Sequence, residues 1–97
     1  MRLKVAFHPQ VFSEVDAPYY EKVADDRLAD RFYAEFRHFV EEASIHPEKY
    51  NIRKDDFRRV NLRRFPFHFL FRVKEDTLRI LVVRHHARRP TYGTRRR

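Results

Sequence analysis

The chain predicts an α+β domain of order βααβββ, an antiparallel sheet with a two-helix hairpin packed on one face, and three patterns carry that reading. Residues 67–73 and 77–85 are apolar runs of strand length separated by Lys74-Glu75-Asp76. Residues 28–43 repeat apolar side chains at helical spacing, and residues 2–7 alternate before His8-Pro9 cuts them off.

In the first strand, residues 2–7, Leu3, Val5 and Phe7 share a face. From Gln10 the residues Val11, Val15, Tyr19 and Val23 recur at helical spacing. Pro18 interrupts them, and an interior proline costs about 3 kcal/mol, which predicts a kink or a new start near residues 16–18. Asp25 or Asp26 is placed to cap a second helix whose buried stripe is Leu28, Phe32, Phe36, Phe39, Val40 and Ala43. That helix stops before Pro47, and residues 47–56 form a polar connection. Residues 57–64 read as a strand with Val60 and Leu62 inward. The next strand sets Phe67, Phe69, Phe71 and Val73 against His68, Leu70 and Arg72, and the last is apolar on both faces, as a central strand is. Tyr19 and Tyr20 with Phe32, Tyr33 and Phe36 read as core between the helices rather than as a base-stacking platform. The domain is expected to span residues 1–92, with 93–97 a basic tail whose last four residues add little to stability.

Composition excludes whole classes of function. A chain of 97 residues buries roughly 60 to 65% of its unfolded surface and has room for one domain. With 22 Lys and Arg against 14 Asp and Glu, its net charge of +8 calls for nucleic acid or an acidic partner. No cysteine is present, so disulfides, thiolate nucleophiles and Cys-built zinc sites are out. The single glycine, Gly93, removes phosphate-cradling glycine loops, and no cofactor is expected. Without an apolar run of roughly 18 residues or a signal-like N-terminus, a cytoplasmic protein is the expectation.

The sheet face away from the helices is where chemistry gathers. With a three-residue turn, Val73 faces Thr77, Phe69 faces Leu81 and His68 faces Val82, so that His68, Arg84 and His86 share that face. His68 reads either as a half-buried strand histidine with one hydrogen bond or as one member of a phosphate-facing cluster. His85 and His86 point to opposite faces and lack a third ligand, which argues against a metal site. A metal-free ribonuclease would draw its acid, base and phosphate-stabilising groups from His68, His86, Arg88, Arg89 and Tyr92. Arg64, Arg84 and His85, with apolar Leu70 and Val82, are the residues expected to meet a partner or target. Alternation separates Arg58 and Arg64 from Arg59 and Arg63, so some of these four must meet Glu35, Glu41 or Glu42 or an acidic partner.

The segment RRFPFHFLFRVKEDTLRILVVRHHARRPTY, residues 63–92, resembles the C-terminal half of the RelE/ParE superfamily of bacterial toxin–antitoxin (plasmid stabilisation) toxins. The points of likeness are Arg64-Phe65-Pro66-Phe67, the run from Leu78 to Val83, and His86, Arg89, Pro90 and Tyr92. The order of elements agrees from about Leu3 to Tyr92. The resemblance implies a cognate acidic antitoxin encoded alongside and a toxin–antitoxin hetero-oligomer. It leans to a ParE-like protein that inhibits DNA gyrase by binding. The alternative is a RelE-like ribosome-dependent endoribonuclease, a branch that often carries arginine where His68 stands. A third reading is a plain basic nucleic-acid-binding module.

Overall fold

The computed structural model describes residues 2–15, 26–53 and 56–97. Strand β1 (Lys4–Phe7) leads into helix α1 (Gln10–Val15), and helix α2 (Asp26–Ile45) is followed by a 3-10 turn over Pro47–Lys49. Strands β2 (Arg58–Asn61), β3 (Phe67–Lys74) and β4 (Thr77–His85) complete a four-stranded sheet of order β1-β4-β3-β2. The interruption expected at Pro18, the capping residue and the packing of Tyr19 and Tyr20 lie outside the described residues. Among those residues no helix is long and apolar enough to cross a membrane.

Three of the strands pair antiparallel, but β1 runs parallel to β4, which corrects the expectation of a wholly antiparallel sheet. The reason is topological. The helical connection returns the chain to the end at which β1 began, and two hairpin reversals then bring β4 beside β1 in the same direction. Helix α2 presents the expected stripe: Phe32, Phe36, Phe39, Val40 and Ala43 are buried, and Leu28 packs against them in part. They meet Val60, Leu62, Phe69, Phe71, Leu78, Ile80 and Val83 from the sheet, with Val11 and Val15 from α1. Phe32 sets its ring edge against Phe65 and Phe67, and Phe36 against Phe69, which is the favoured aromatic geometry. Tyr33 is exposed instead of lying in the core, with the Arg37 guanidinium 5.9 Å from its ring centroid.

The β3–β4 hairpin departs from its expected register twice. Its turn holds two residues, because Lys74 pairs with Thr77 and Glu75 adopts φ 58. A bulge then makes Leu70 pair with Val82 while Phe71 pairs with Ile80, leaving Leu81 as the extra residue. Each change moves the pairing by one position, and together they restore the original parity. His68 therefore faces Arg84 rather than Val82, yet His68, Arg84 and His86 still share the face away from the helices. Because of the bulge, Leu81 and Val82 both point to that face and join Phe57, Leu70 and Tyr92 in a second apolar cluster.

Candidate functional site

Antiparallel pairing brings Asn61, His68 and Arg84 into one row across β2, β3 and β4, with Arg59 beside Leu70 in the next. Arg84 is 7% exposed, an unusual burial for a guanidinium, and each of its contacts is a charge-assisted hydrogen bond. Its Nε donates to His68 Nε2 at 2.8 Å, and its Nη1 donates to the carbonyls of Pro90 at 2.8 Å and Tyr92 at 2.7 Å. One arginine thus orders both the imidazole beside it and the chain crossing above it.

The tautomers follow from this pattern. His68 Nε2 accepts from a group that only donates, so neutral His68 carries its proton on Nδ1. That proton is donated to His86 Nδ1, 2.8 Å away, and His86 must then hold its own proton on Nε2. The two rings stack at 15° with centroids 5.1 Å apart. Burial, followed by the charges of Arg59 and Arg84, pushes His68 down to about 3, and burial with Arg59 also lowers His86. Both imidazoles are neutral near pH 7, and the outward group of the pair is the N–H donor of His86.

Residues 87–97 close over this face. Tyr92 lies on the cluster of Phe57, Leu70, Leu81 and Val82, and its hydroxyl donates to Glu14 Oε2 at 2.8 Å. Gly93 has φ +79, and a Cβ there would sit 2.6 Å from Val82 Cγ2, so the chain lies on Val82 because the residue is glycine. Arg96 corrects the expectation of an unanchored tail. Its guanidinium pairs with Glu14 at 2.8 and 2.9 Å and donates to the Leu81 carbonyl at 3.0 Å, with both side chains about nine-tenths buried. Burial opposes the charge on Arg96, but the hydrogen bond and charge of Glu14 outweigh it and raise its pKa. Glu14 Oε1 also accepts from the Val83 amide at 3.0 Å. Beyond the end of β1, then, the edge of β4 is satisfied by side chains of α1 and the C-terminal segment instead of by another strand.

The sequence-predicted residues separate into three groups. His68, Arg84, His86 and Tyr92 form one hydrogen-bonded assembly around the C-terminal segment, and Arg88 stacks 4.5 Å over the Tyr92 ring. Leu70 and Val82 are buried beneath Tyr92, so they are closed to a partner while residues 87–97 stay in place. His85 packs edge-on against Phe67 at 5.1 Å, on the side away from His86's partner, and Arg64 sits by α2 with its backbone N–H donating to Glu35. Arg89 is exposed, its carbonyl accepting from the Tyr92 amide. Sequence reasoning missed Arg96 and Glu14, the latter with partners 69 to 82 residues away, and placed no functional weight on Arg59. For Arg59 a signal was available: it and Asn61 flank inward Val60, and the alternation puts both on the face of His68.

On the other side of the molecule a groove of about 360 Å³ opens between β1, α1 and α2, lined by Val5, Phe7, Val11, Phe12, Tyr33 and Val40 among others. Phe12 is 62% exposed at its rim, and β1 is an edge strand of the sheet.

Comparison with known proteins places this geometry. A solved structure described as the chromosomal ParDE toxin–antitoxin system from P. aeruginosa is similar with a TM-score of 0.74 at 19% identity, over 87% of this chain and 96% of that one. The free state of an arginine-to-alanine double mutant of E. coli toxin RelE is similar with a TM-score of 0.67 at 13% identity, over 95% of this chain and 92% of that one. At such identities the likeness is one of fold. No curated protein matches the sequence. The family model described as ParE toxin of type II toxin–antitoxin system, parDE, matches residues 5–90, from the first strand through the carbonyl that Arg84 grips at Pro90. By that match the chain belongs to the ParE toxin family of type II toxin–antitoxin systems.

Proposed function

We propose that the chain inhibits DNA gyrase by binding it, without turning over a substrate, and is neutralised by a cognate antitoxin encoded alongside. The observation that carries this reading is the committed state of the imidazole pair. A metal-free ribonuclease needs a base that takes the 2′-hydroxyl proton near neutrality and an acid that returns one to the leaving oxygen. His68 is 2% exposed, has both ring nitrogens in hydrogen bonds and is pushed down to about 3. The Tyr92 hydroxyl is held by Glu14. What the face offers outward is a set of donors, the His86 Nε2–H with Arg88 and Arg89, which suits adhesion to an acidic surface and not a cycle of proton transfers.

The groove between β1, α1 and α2 supports the antitoxin half of the reading. An extended or helical segment with apolar anchors would cover Phe12, Tyr33 and Val5, and the outer edge of β1, on which no strand pairs among the described residues, offers backbone pairing. Phe12→Glu should therefore release the antitoxin while leaving toxicity intact.

The deciding measurement uses purified protein in two assays, mRNA integrity on translating ribosomes and DNA supercoiling by gyrase. Blocked supercoiling with intact mRNA is the expected result, and site-specific mRNA cleavage would replace this reading with the nuclease one. Arg88→Ala combined with Arg89→Ala should weaken gyrase inhibition roughly 10-fold or more at an unchanged melting temperature. Tyr92→Phe should lower stability through Glu14 and leave inhibition by the folded protein close to that of the parent.

A further inference from the structure

At the turn end of the β3–β4 hairpin, Arg72 and Arg79 face each other directly across the ladder on the side away from the helices. Like charges in that position weaken a strand pair, so the arrangement runs against stability. The Arg72 guanidinium lies 4.3 Å over the Phe57 ring, which holds it flat along the sheet. The C-terminal segment then adds Arg95, Arg96 and Arg97 beside Lys74, and together these residues line a cleft of about 710 Å³. Among the described residues no acidic side chain lines it, and the one aliphatic residue is Leu81. Arg96 is engaged by Glu14, whereas Lys74, Arg95 and Arg97 are exposed and Arg79 is half-buried. The nearest acids along the chain are Glu75 and Asp76 at the turn, and Asp76 is paired with Lys4 at 3.4 Å. A shallower hollow lined by His8, Gln10, Thr91 and Gly93 shares Arg95, Arg96 and Arg97 and carries the basic surface around the segment.

We propose that this cleft binds the phosphodiester backbone of nucleic acid, at a site separate from the His68–His86 assembly. Guanidinium forks at several points along one cleft match a row of phosphates, each offering acceptors to a bidentate donor. An acidic protein segment would also satisfy the charges, but such segments gain much of their affinity from apolar anchors, and among the described lining residues only Leu81 is an apolar side chain, the other apolar surface being stems of the arginines and Lys74. The groove beside β1, lined by Val5, Phe7, Val11 and Phe12, suits apolar anchors better. Arg72 and His68 are four positions apart on β3, roughly 13 Å along the strand, so a bound backbone at the cleft leaves the other assembly uncovered.

The test is fluorescence anisotropy with the full chain against a labelled 20-base-pair DNA duplex, a 20-nucleotide RNA and polyglutamate of equal charge, each over a series of salt concentrations. The variant Lys74→Ala, Arg79→Ala, Arg95→Ala, Arg97→Ala should reduce the slope of log affinity against log salt by about 3 to 4 for duplex DNA and about 3 for RNA, since each lost phosphate contact removes about 0.9 or 0.7. A control variant with the same charge change elsewhere, Arg31→Ala, Lys49→Ala, Arg53→Ala, Arg63→Ala, should change the slope by less than about 1. Should the first variant fold poorly, Lys74→Gln, Arg95→Gln, Arg97→Gln alters exposed side chains alone and should still reduce the slope by about 2 to 3. Whichever of duplex and RNA binds more tightly identifies the source of the backbone. Unchanged slopes in the cleft variants, or equal losses in the control, would overturn the proposal. So would polyglutamate binding as tightly as the nucleic acids and lost with the same residues, which would assign the cleft to an acidic protein.

Discussion

On the helix side of the sheet Phe69, Phe71, Leu78 and Ile80 are sealed by aliphatic and aromatic side chains of α1 and α2. On the opposite side Leu70, Leu81 and Val82 are sealed by eleven residues of irregular chain, held by Arg84, Glu14 and Arg96. The first closure is apolar burial, indifferent to protonation and tolerant of small shifts. The second depends on charged groups taken out of water, each needing its particular partner, and among the described residues every buried side-chain nitrogen and oxygen has one. The two faces should therefore fail under different insults. A cavity breaks the first, and a changed charge or a missing donor opens the second while the first stays folded.

The largest effect belongs to the apolar side. Phe69 is fully buried and sets its ring 5.5 Å from that of Phe36, so Phe69→Ala should cost about 3 to 5 kcal/mol through lost transfer energy and the cavity left behind. Urea denaturation at pH 6 and at pH 8 should show the same loss. A loss that differed strongly between the two pH values would mean that the faces are not independent.

Next comes the ion pair. Arg96→Met removes the guanidinium and leaves the Glu14 carboxylate buried with two donors, the Val83 amide and the Tyr92 hydroxyl. Breaking a buried pair from one side typically costs 3 to 5 kcal/mol, and the remaining donors reduce this to about 2 to 3. Removal of residues 94–97 should do the same, contrary to the bland behaviour of an unanchored basic tail. Amide exchange should speed up over residues 87–97 and stay slow in β3 and in α2. Uniform acceleration would show one cooperative unit instead of two.

The same contrast explains what the sequence could disclose. The stripe of α2 and the inward residues of β2 and β3 were legible because each follows from spacing within one element, at 3.6 or 2 residues per repeat. The grouping of His68, Arg84 and His86 was legible by parity, although two register errors had to cancel for it. Glu14 with Arg96 was not legible, since no local pattern links an acid on a six-residue helix to an arginine 82 positions later. Nor was the covering of Leu70 and Val82. An apolar strand face reads the same whether a partner or the chain's own end seals it, and the clue was the lone glycine, which permits contact with Val82.

The smallest effect, and the one that isolates the polar face, is the response to acid. His68 has its folded-state pKa pushed down to about 3 from the ordinary 6.5, so the unfolded chain binds the extra proton throughout that window. Stability rises with pH wherever the unfolded state holds more protons; the contribution of His68 is therefore intact above pH 6.5 and is lost as pH falls toward 3. One proton over the interval from pH 6.5 to pH 5 corresponds to about 2 kcal/mol, and the lowered values of His86 and His8 act in the same direction. The sign is opposite to that of a histidine stabilised by an acidic neighbour, because here burial disfavours the charged ring and the charges of Arg59 and Arg84 add to it. In His68→Gln the amide oxygen has a donor available in Arg84 and this titration is gone, so stability measured by urea denaturation should depend less steeply on pH between pH 5 and pH 6.5, keeping only the slope that His86 and His8 supply. A variant that kept the full slope of the parent would place the acid sensitivity elsewhere and would free His68 to act as a proton carrier.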